Sequence, residues 1–248
     1  MAYRSDGSSH RDGIKNELNT AKILEVHSNE LFGDSNITVS HLGGTQHKAD
    51  LVVDKSDNKR IKVSVKRKKK ITTGSFDYIN TSKLPNSFTK VLDIYNKGYK
   101  FGMRDQDLID ELKLVITNEL NDLDSDTLFN FLEESVINAN KEITMVINDT
   151  ENEVIYKYDF NDSPIVELMK DGFKPTIKKN DKMSKNILFV RNDETRDIGL
   201  RIRLNLNNGW GAWLGTNGKK TSVLTIKIQQ DKVKNLLDDI KNKQVLSY

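Results

Sequence analysis

The spacing of apolar positions along this chain changes several times, and each change marks a predicted element. Asp12 is a candidate N-cap for a helix in which Ile14, Leu18, Ala21 and Leu24 recur at helical spacing, ending near Gly33. Ile37 to His41 reads as a short strand, followed by the Gly43-Gly44 punctuation. Asp50-Leu-Val-Val-Asp54 comes next, then the polar turn Lys55 to Lys59. In the following segment, Arg60 to Lys66, Ile61, Val63 and Val65 alternate with polar residues, the two-residue period of a strand. Helices are expected at 85–96, with Phe88, Val91, Leu92 and Tyr95 on one face, at 105–119, and at 126–140, capped by Ser125 or Asp126. A hairpin is expected from Ile143–Asn148 and Val154–Phe160. Ser163-Pro164 opens a short helix that Gly172 closes. Strands then dominate at 187–190, 198–205 and 222–228. A terminal helix, 230–242, places Val233, Leu236, Leu237 and Ile240 on one side. The order of elements is that of an α/β protein.

Composition narrows the class. The 248 residues are 36% hydrophobic and 30% charged, enough apolar material for a real core. The longest apolar runs, Leu51–Val53 and Ile187–Val190, are far short of a membrane span, so no membrane partner is expected. Residues 1–10 read as a flexible tail without the apolar stretch of a secretory leader. With no cysteine, disulfides, thiolate metal sites and cysteine nucleophiles are excluded, and a cytoplasmic setting is expected. The net charge of +3 conceals a segregation: residues 104–171 carry 18 acidic and 5 basic residues, and the rest of the chain 18 acidic and 34 basic. Such a division favours a polyanion bound by the flanking parts.

The chemistry centres on one hairpin. Side chains two apart on a strand share a face, so Arg60, Lys62, Ser64 and Lys66 point away from Ile61, Val63 and Val65. If 50–54 pairs with this strand through the short turn, Asp50 and Lys66 meet at the hairpin's open end. A carboxylate can hold a hard divalent cation, and a neighbouring lysine can position water or neutralise developing charge. Taken alone, the same two residues could form an ordinary ion pair at a strand end.

His47-Lys-Ala-Asp50-Leu-Val-Val followed by Ile61-Lys-Val-Ser64-Val-Lys66 resembles the PD-(D/E)XK nuclease signature, in particular that of type II restriction endonucleases cutting short palindromes. Asp12-Gly-Ile-Lys-Asn-Glu17 and Leu214-Gly-Thr-Asn-Gly-Lys219 are also similar to stretches of one small four-base cutter. Ala49 stands where the family has proline, and Ser64 where it has an acid. The resemblance implies a restriction-endonuclease-like α/β core with a central mixed sheet flanked by helices, and a C-terminal β-rich part that recognises DNA. A single domain over 11–248 is expected, divided into a catalytic core (11–100), an acidic region (104–171) and a recognition region (173–248). The implied activity is magnesium-dependent cleavage of double-stranded DNA, with a homodimer on a palindromic site as one implied arrangement, leaving 5′-phosphate and 3′-hydroxyl ends. A structure-selective repair or junction nuclease and a catalytically decayed DNA-binding protein are the alternatives.

Asp50, Ser64, Lys66 and Glu17 are the implied catalytic residues. Asp50 and Glu17 are the metal candidates, since a glutamate from the first helix, ligating metal or holding water, would fill the gap left at Ser64. Arg67, Lys68, Lys69 and Lys70 are placed to grip phosphates, as are Lys219 and Lys220. Arg201 and Arg203 share a strand face, and Asn207, Asn208 and Asn217 follow. Arginine can read guanine and asparagine adenine, so these are the candidate base readers. His41 and His47 have no company at metal-ligand spacing and are expected in hydrogen-bonded roles. Trp210 and Trp213 are expected to be packing anchors.

Overall fold

A computed structural model describes residues 8–42, 49–68, 77–80, 122–163, 175–176, 186–191, 197–204, 222–228 and 237–248, with helical positions at 90, 93, 111, 114–115, 118–119 and 166. The chain groups into two compact units. One comprises residues 1–74, 140–166 and 234–248, the other 75–139 and 167–233. The boundary runs through the acidic 104–171 stretch, so the 143–159 hairpin belongs with Asp50 and Lys66.

In the first unit, helices α1 (Ser8–Val26) and α2 (Ser28–Phe32) precede β1 (Thr38–His41), β2 (Leu51–Asp54) and β3 (Arg60–Lys68). The second unit holds β4 (Asp77–Asn80) and α3 (Ser125–Leu132), which runs into a wider π turn at Glu133–Asn138. The chain then supplies β5 (Ile143–Asp149) and β6 (Val154–Asp159) to the first unit. Strands β7 (Pro175–Thr176), β8 (Asn186–Arg191), β9 (Asp197–Leu204) and β10 (Ser222–Ile228) belong to the second unit, and β11 (Gln244–Ser247) returns to the first.

The first unit is a mixed six-stranded sheet in the order β1-β2-β3-β5-β6-β11, giving an α/β architecture. Only β3 and β5 pair in parallel, with Ser64 beside Met145 and Lys66 beside Ile147; the other ladders are antiparallel. A parallel pair cannot be closed by a tight turn, and here a long crossover separates its strands. All seven residues of β5 are buried, as suits a central strand covered on both faces.

Helix α1 packs on β1 and β3. The core between helix and sheet joins Ala21, Leu24 and Leu31 to Leu51, Val53, Val63, Val65, Val146, Ile155 and Leu246. Fully burying one such aliphatic side chain stabilises the fold by about 1.5–3 kcal/mol. The helix differs from its sequence pattern in start, face and end. It begins at Ser8, within the expected tail, so Asp12 lies inside it as an exposed residue and caps nothing. Its inward face also carries Thr20, fully buried, while Leu18 stays 46% exposed. The cause is polar: the Thr20 hydroxyl accepts a hydrogen bond from Asn148 Nδ2 at 2.9 Å, and Tyr248 donates to Asn148 Oδ1 at 2.9 Å. The helix expected to run to Gly33 is broken at His27, and Gly33 closes the short α2 instead, at φ 61°, where its N–H reaches Asn29 O at 2.9 Å and a side chain would be strained.

The second unit has an antiparallel sheet in the order β4-β10-β9-β8-β7. Helix α3 is capped by Asp124, which accepts from the Thr127 N–H at 2.7 Å and precedes both expected caps, Ser125 and Asp126. Where a terminal helix is expected at 230–242, residues 229–236 lie outside the described residues. Helix covers Leu237–Asp239, and the chain then turns at Lys241-Asn242 into β11.

Candidate active site

The turn after β2 fixes the register that builds the site. Lys55 N–H bonds to Lys59 O at 2.9 Å, and Asn58 takes φ 63°, a conformation asparagine tolerates. Asp54 then pairs with Arg60 and Leu51 with Val63, which brings Asp50 to β3 beside Ser64. The Asp50 main chain is held on both sides: its N–H donates to Val63 O at 2.9 Å, and its carbonyl accepts from Leu42 N–H at 3.0 Å.

The Asp50 carboxylate is fixed as firmly. Oδ2 accepts from the Val65 N–H at 2.7 Å and from the Ser64 hydroxyl at 3.1 Å. Lys66 Nζ donates to Ser64 Oγ at 2.8 Å and lies 3.9 Å from Asp50 Oδ2. Lysine, serine and aspartate thus form a relay in which the hydroxyl both receives and gives a hydrogen bond. Lys66 and Asp50 are 14% and 27% exposed, enough for approach by an outside ligand.

Every contact between the Asp50 carboxylate and a described residue falls on Oδ2 and none on Oδ1. Magnesium keeps several of its waters and takes one or two carboxylates, so this sparse, hard donor set fits it. Among the described residues no group of three or more His, Asp or Glu side chains could enclose a metal. Glu17 is not brought onto Asp50. Its Oε2 lies 2.6 Å from His41 Nε2, which ties α1 to β1.

The basic run after Lys66 divides. Lys68 turns inward onto Asp149, whose side chain is 1% exposed and also accepts from Asn152 Nδ2 at 2.8 Å. Burial pushes the Asp149 carboxyl up, but the hydrogen bonds from Lys68 and Asn152 and the Lys68 charge outweigh it, holding the group below its ordinary value. Arg67 lies beside Asn148, with its Nε buried and unpaired. Lys69 and Lys70 lie outside the described residues, as do His47, Asn207, Asn208, Trp210, Trp213, Asn217, Lys219 and Lys220.

Arg201 and Arg203 are placed on β9, in the second unit. In the β9–β10 register Arg201 pairs with Lys227 and Arg203 with Thr225. Lys227 has no signal of its own in the sequence, because only the strand register shows that it pairs with Arg201. The contacts of Glu17 with His41 and of Lys68 with Asp149 were equally hidden, being 24 and 81 residues apart.

Comparison with protein-family models, with curated proteins and with solved structures finds no match.

Proposed function

We propose that this protein is a metal-dependent endonuclease that hydrolyses phosphodiester bonds of double-stranded DNA, with a restriction-endonuclease-like core. The observation that carries the reading is the Asp50–Ser64–Lys66 relay at the open end of the β2–β3 hairpin. The order of a helix, a three-stranded meander, a crossover and a strand parallel to β3 supports it. Asp50 would hold magnesium through Oδ1. When bound, the metal would polarise the phosphate and lower the pKa of a coordinated water. Lys66, fixed by Ser64, would place its ammonium against the phosphate oxygens as charge builds there.

Sequence recognition is assigned to the β-rich second unit. The β9–β10 pair carries Arg201, Arg203 and Lys227, three cations on two adjacent strands, which suits a duplex. Ser64 in place of an acid favours a second reading, a DNA-binding protein that has lost catalysis. Incubating linear plasmid with the protein and magnesium separates the two. Discrete fragments are expected, whereas a gel shift without cleavage in magnesium or manganese would establish the binding protein.

A further inference from the structure

Strand β3 carries five cations, and four of them have partners. Arg60 pairs with Asp54, Lys62 with Glu142, Lys66 with Ser64 and Asp50, and Lys68 with Asp149. Arg67 is the exception among the described residues: its Nε is buried and donates to nothing. The two-residue period of the strand separates it from its neighbours. Val63, Val65 and Arg67 face α1, whereas Ser64, Lys66 and Lys68 face the other side of the sheet.

The groups around Arg67 are committed elsewhere. Asn148 stands beside it on β5, but its Nδ2 donates to Thr20 Oγ1 and its Oδ1 accepts from the Tyr248 hydroxyl, both at 2.9 Å. Glu17, on α1, is held by His41. Helix α1 runs against the direction of β3. Glu25 Oε1 accepts from the Val39 N–H at 3.2 Å and Glu17 meets His41, on a strand that runs the same way as β3. Asn16, one turn before Thr20 on the same side of the helix, therefore lies toward the end of β3 that carries Arg67. Asn16 is 8% exposed, and its Oδ1 is buried without a partner. The helix leaves room there: a Cβ added at Gly13, three residues earlier, would meet only Glu17 Oε1 among the described residues, at 4.0 Å.

Burying a charged donor without an acceptor is unfavourable, and such groups are normally paired. A water would accept from Nε but leave the positive charge unbalanced, whereas an anion does both. A guanidinium presents parallel N–H groups that match two oxygens of a phosphate. The Asn16 amide, turned over, offers an N–H to a third.

We propose that Arg67 binds a phosphate group on the α1 side of the sheet, with Asn16 as the second contact. The site is separate from Asp50 and Lys66, which lie on the other face, so it does not depend on the nuclease reading. Outside residues 104–171 the chain carries 34 basic against 18 acidic residues, a balance that draws phosphate-bearing ligands. The phosphate belongs either to a DNA backbone or to a free phosphate ion.

Arg67→Met tests the assignment, because it keeps an apolar stem and removes the charge. With no anion present the variant should be as stable as wild type or more so, since it removes an enclosed cation that has no partner. Inorganic phosphate, compared with chloride at equal ionic strength, is expected to raise the Tm of wild type and leave that of Arg67→Met unchanged. Asn16→Leu should weaken the affinity for phosphate about tenfold, the loss of one hydrogen bond to a charged group. Binding of a DNA duplex in EDTA over a series of salt concentrations identifies the source. A salt slope reduced by about one in Arg67→Met assigns the site to the DNA backbone. An unchanged slope, with the phosphate effect confined to wild type, assigns it to free phosphate. An unchanged slope overturns the proposal if phosphate leaves the wild-type Tm unmoved or raises both proteins alike. Arg67→Met that fails to fold, or melts well below wild type in chloride, also overturns it, because the guanidinium would then be stabilising the fold by itself.

Discussion

Replacing Asp149 by alanine should destabilise the protein more than most single substitutions. The carboxylate is 1% exposed and faces Lys68, which is 14% exposed. Its removal leaves an ammonium enclosed without its acid and strips Asn152 Nδ2 of its acceptor. Breaking a buried pair in this way costs about 3–5 kcal/mol. For a chain of this size each kcal/mol lowers Tm by about 2–4 °C, so a drop of about 6–20 °C is expected at pH 7. The effect carries a pH signature with a definite sign. Asp149 titrates below its ordinary value in the folded protein, so its contribution is complete above the unfolded-state pKa of about 4 and is lost as pH falls through the lower native value. The gap between wild type and Asp149→Ala should therefore narrow on acidification below about pH 4. Urea denaturation of wild type, Asp149→Ala, Lys68→Met and the double variant over that range measures both effects. The double variant should lose less than the sum of the single losses, because it leaves neither charge unpaired. A loss under about 1 kcal/mol in Asp149→Ala, or strictly additive losses, would refute the reasoning.

Asp50→Ala and Lys66→Ala should each lower DNA cleavage by orders of magnitude while binding in calcium is retained; normal cleavage by both would move the site elsewhere. Leu51→Ala, which empties a fully buried position in the core beside Asp50, should cost about 2–5 kcal/mol in urea denaturation. Arg201→Ala or Arg203→Ala should cost about 1–3 kcal/mol at one base-pair position across single-base site variants, whereas Lys219→Ala should weaken all sequences alike and flatten the salt dependence. Full wild-type discrimination in both arginine variants would remove β9 from recognition.

The features legible in the sequence were those written in adjacent residues. Alternation of Ile61, Val63 and Val65 predicts β3, and the five-residue turn before it fixes which residue Asp50 meets. Gly33 ends its helix for a reason confined to its own backbone. What stayed hidden depends on remote partners. The helical period alone places Leu18 inside, but Asn148 holds Thr20 inward and leaves Leu18 in solvent. Lys68 reads as one more surface cation in a basic run until Asp149 appears across the parallel ladder. Asp149 in turn belongs to a strongly acidic stretch, yet it lies at the end of a fully buried strand. Strand β11 follows three helical residues with no strong alternation of its own, and its place is set by β6.

The division of the first unit among residues 1–74, 140–166 and 234–248 has a consequence for biosynthesis. When β3 leaves the ribosome, its partner on one side, β5, has yet to be translated, and Val63 and Val65 face a nascent sheet with one edge open. Such an edge invites pairing with other chains. The strand that closes the far side, β11, follows both segments of the second unit, so the six-stranded sheet can be completed only after residues 75–139 and 167–233 have been made. Loop-closure entropy must be overcome across the whole insertion before β3 and β5 gain their contacts, which makes their docking slow relative to the local β2–β3 hairpin. A ribosome stalled anywhere between residues 75 and 139 should therefore display a hairpin with Asp50 and Lys66 already adjacent but without a finished sheet to hold it. The cluster of Asp50, Ser64 and Lys66 would gain its finished sheet only once the insertion and the returning strand β11 have both been made.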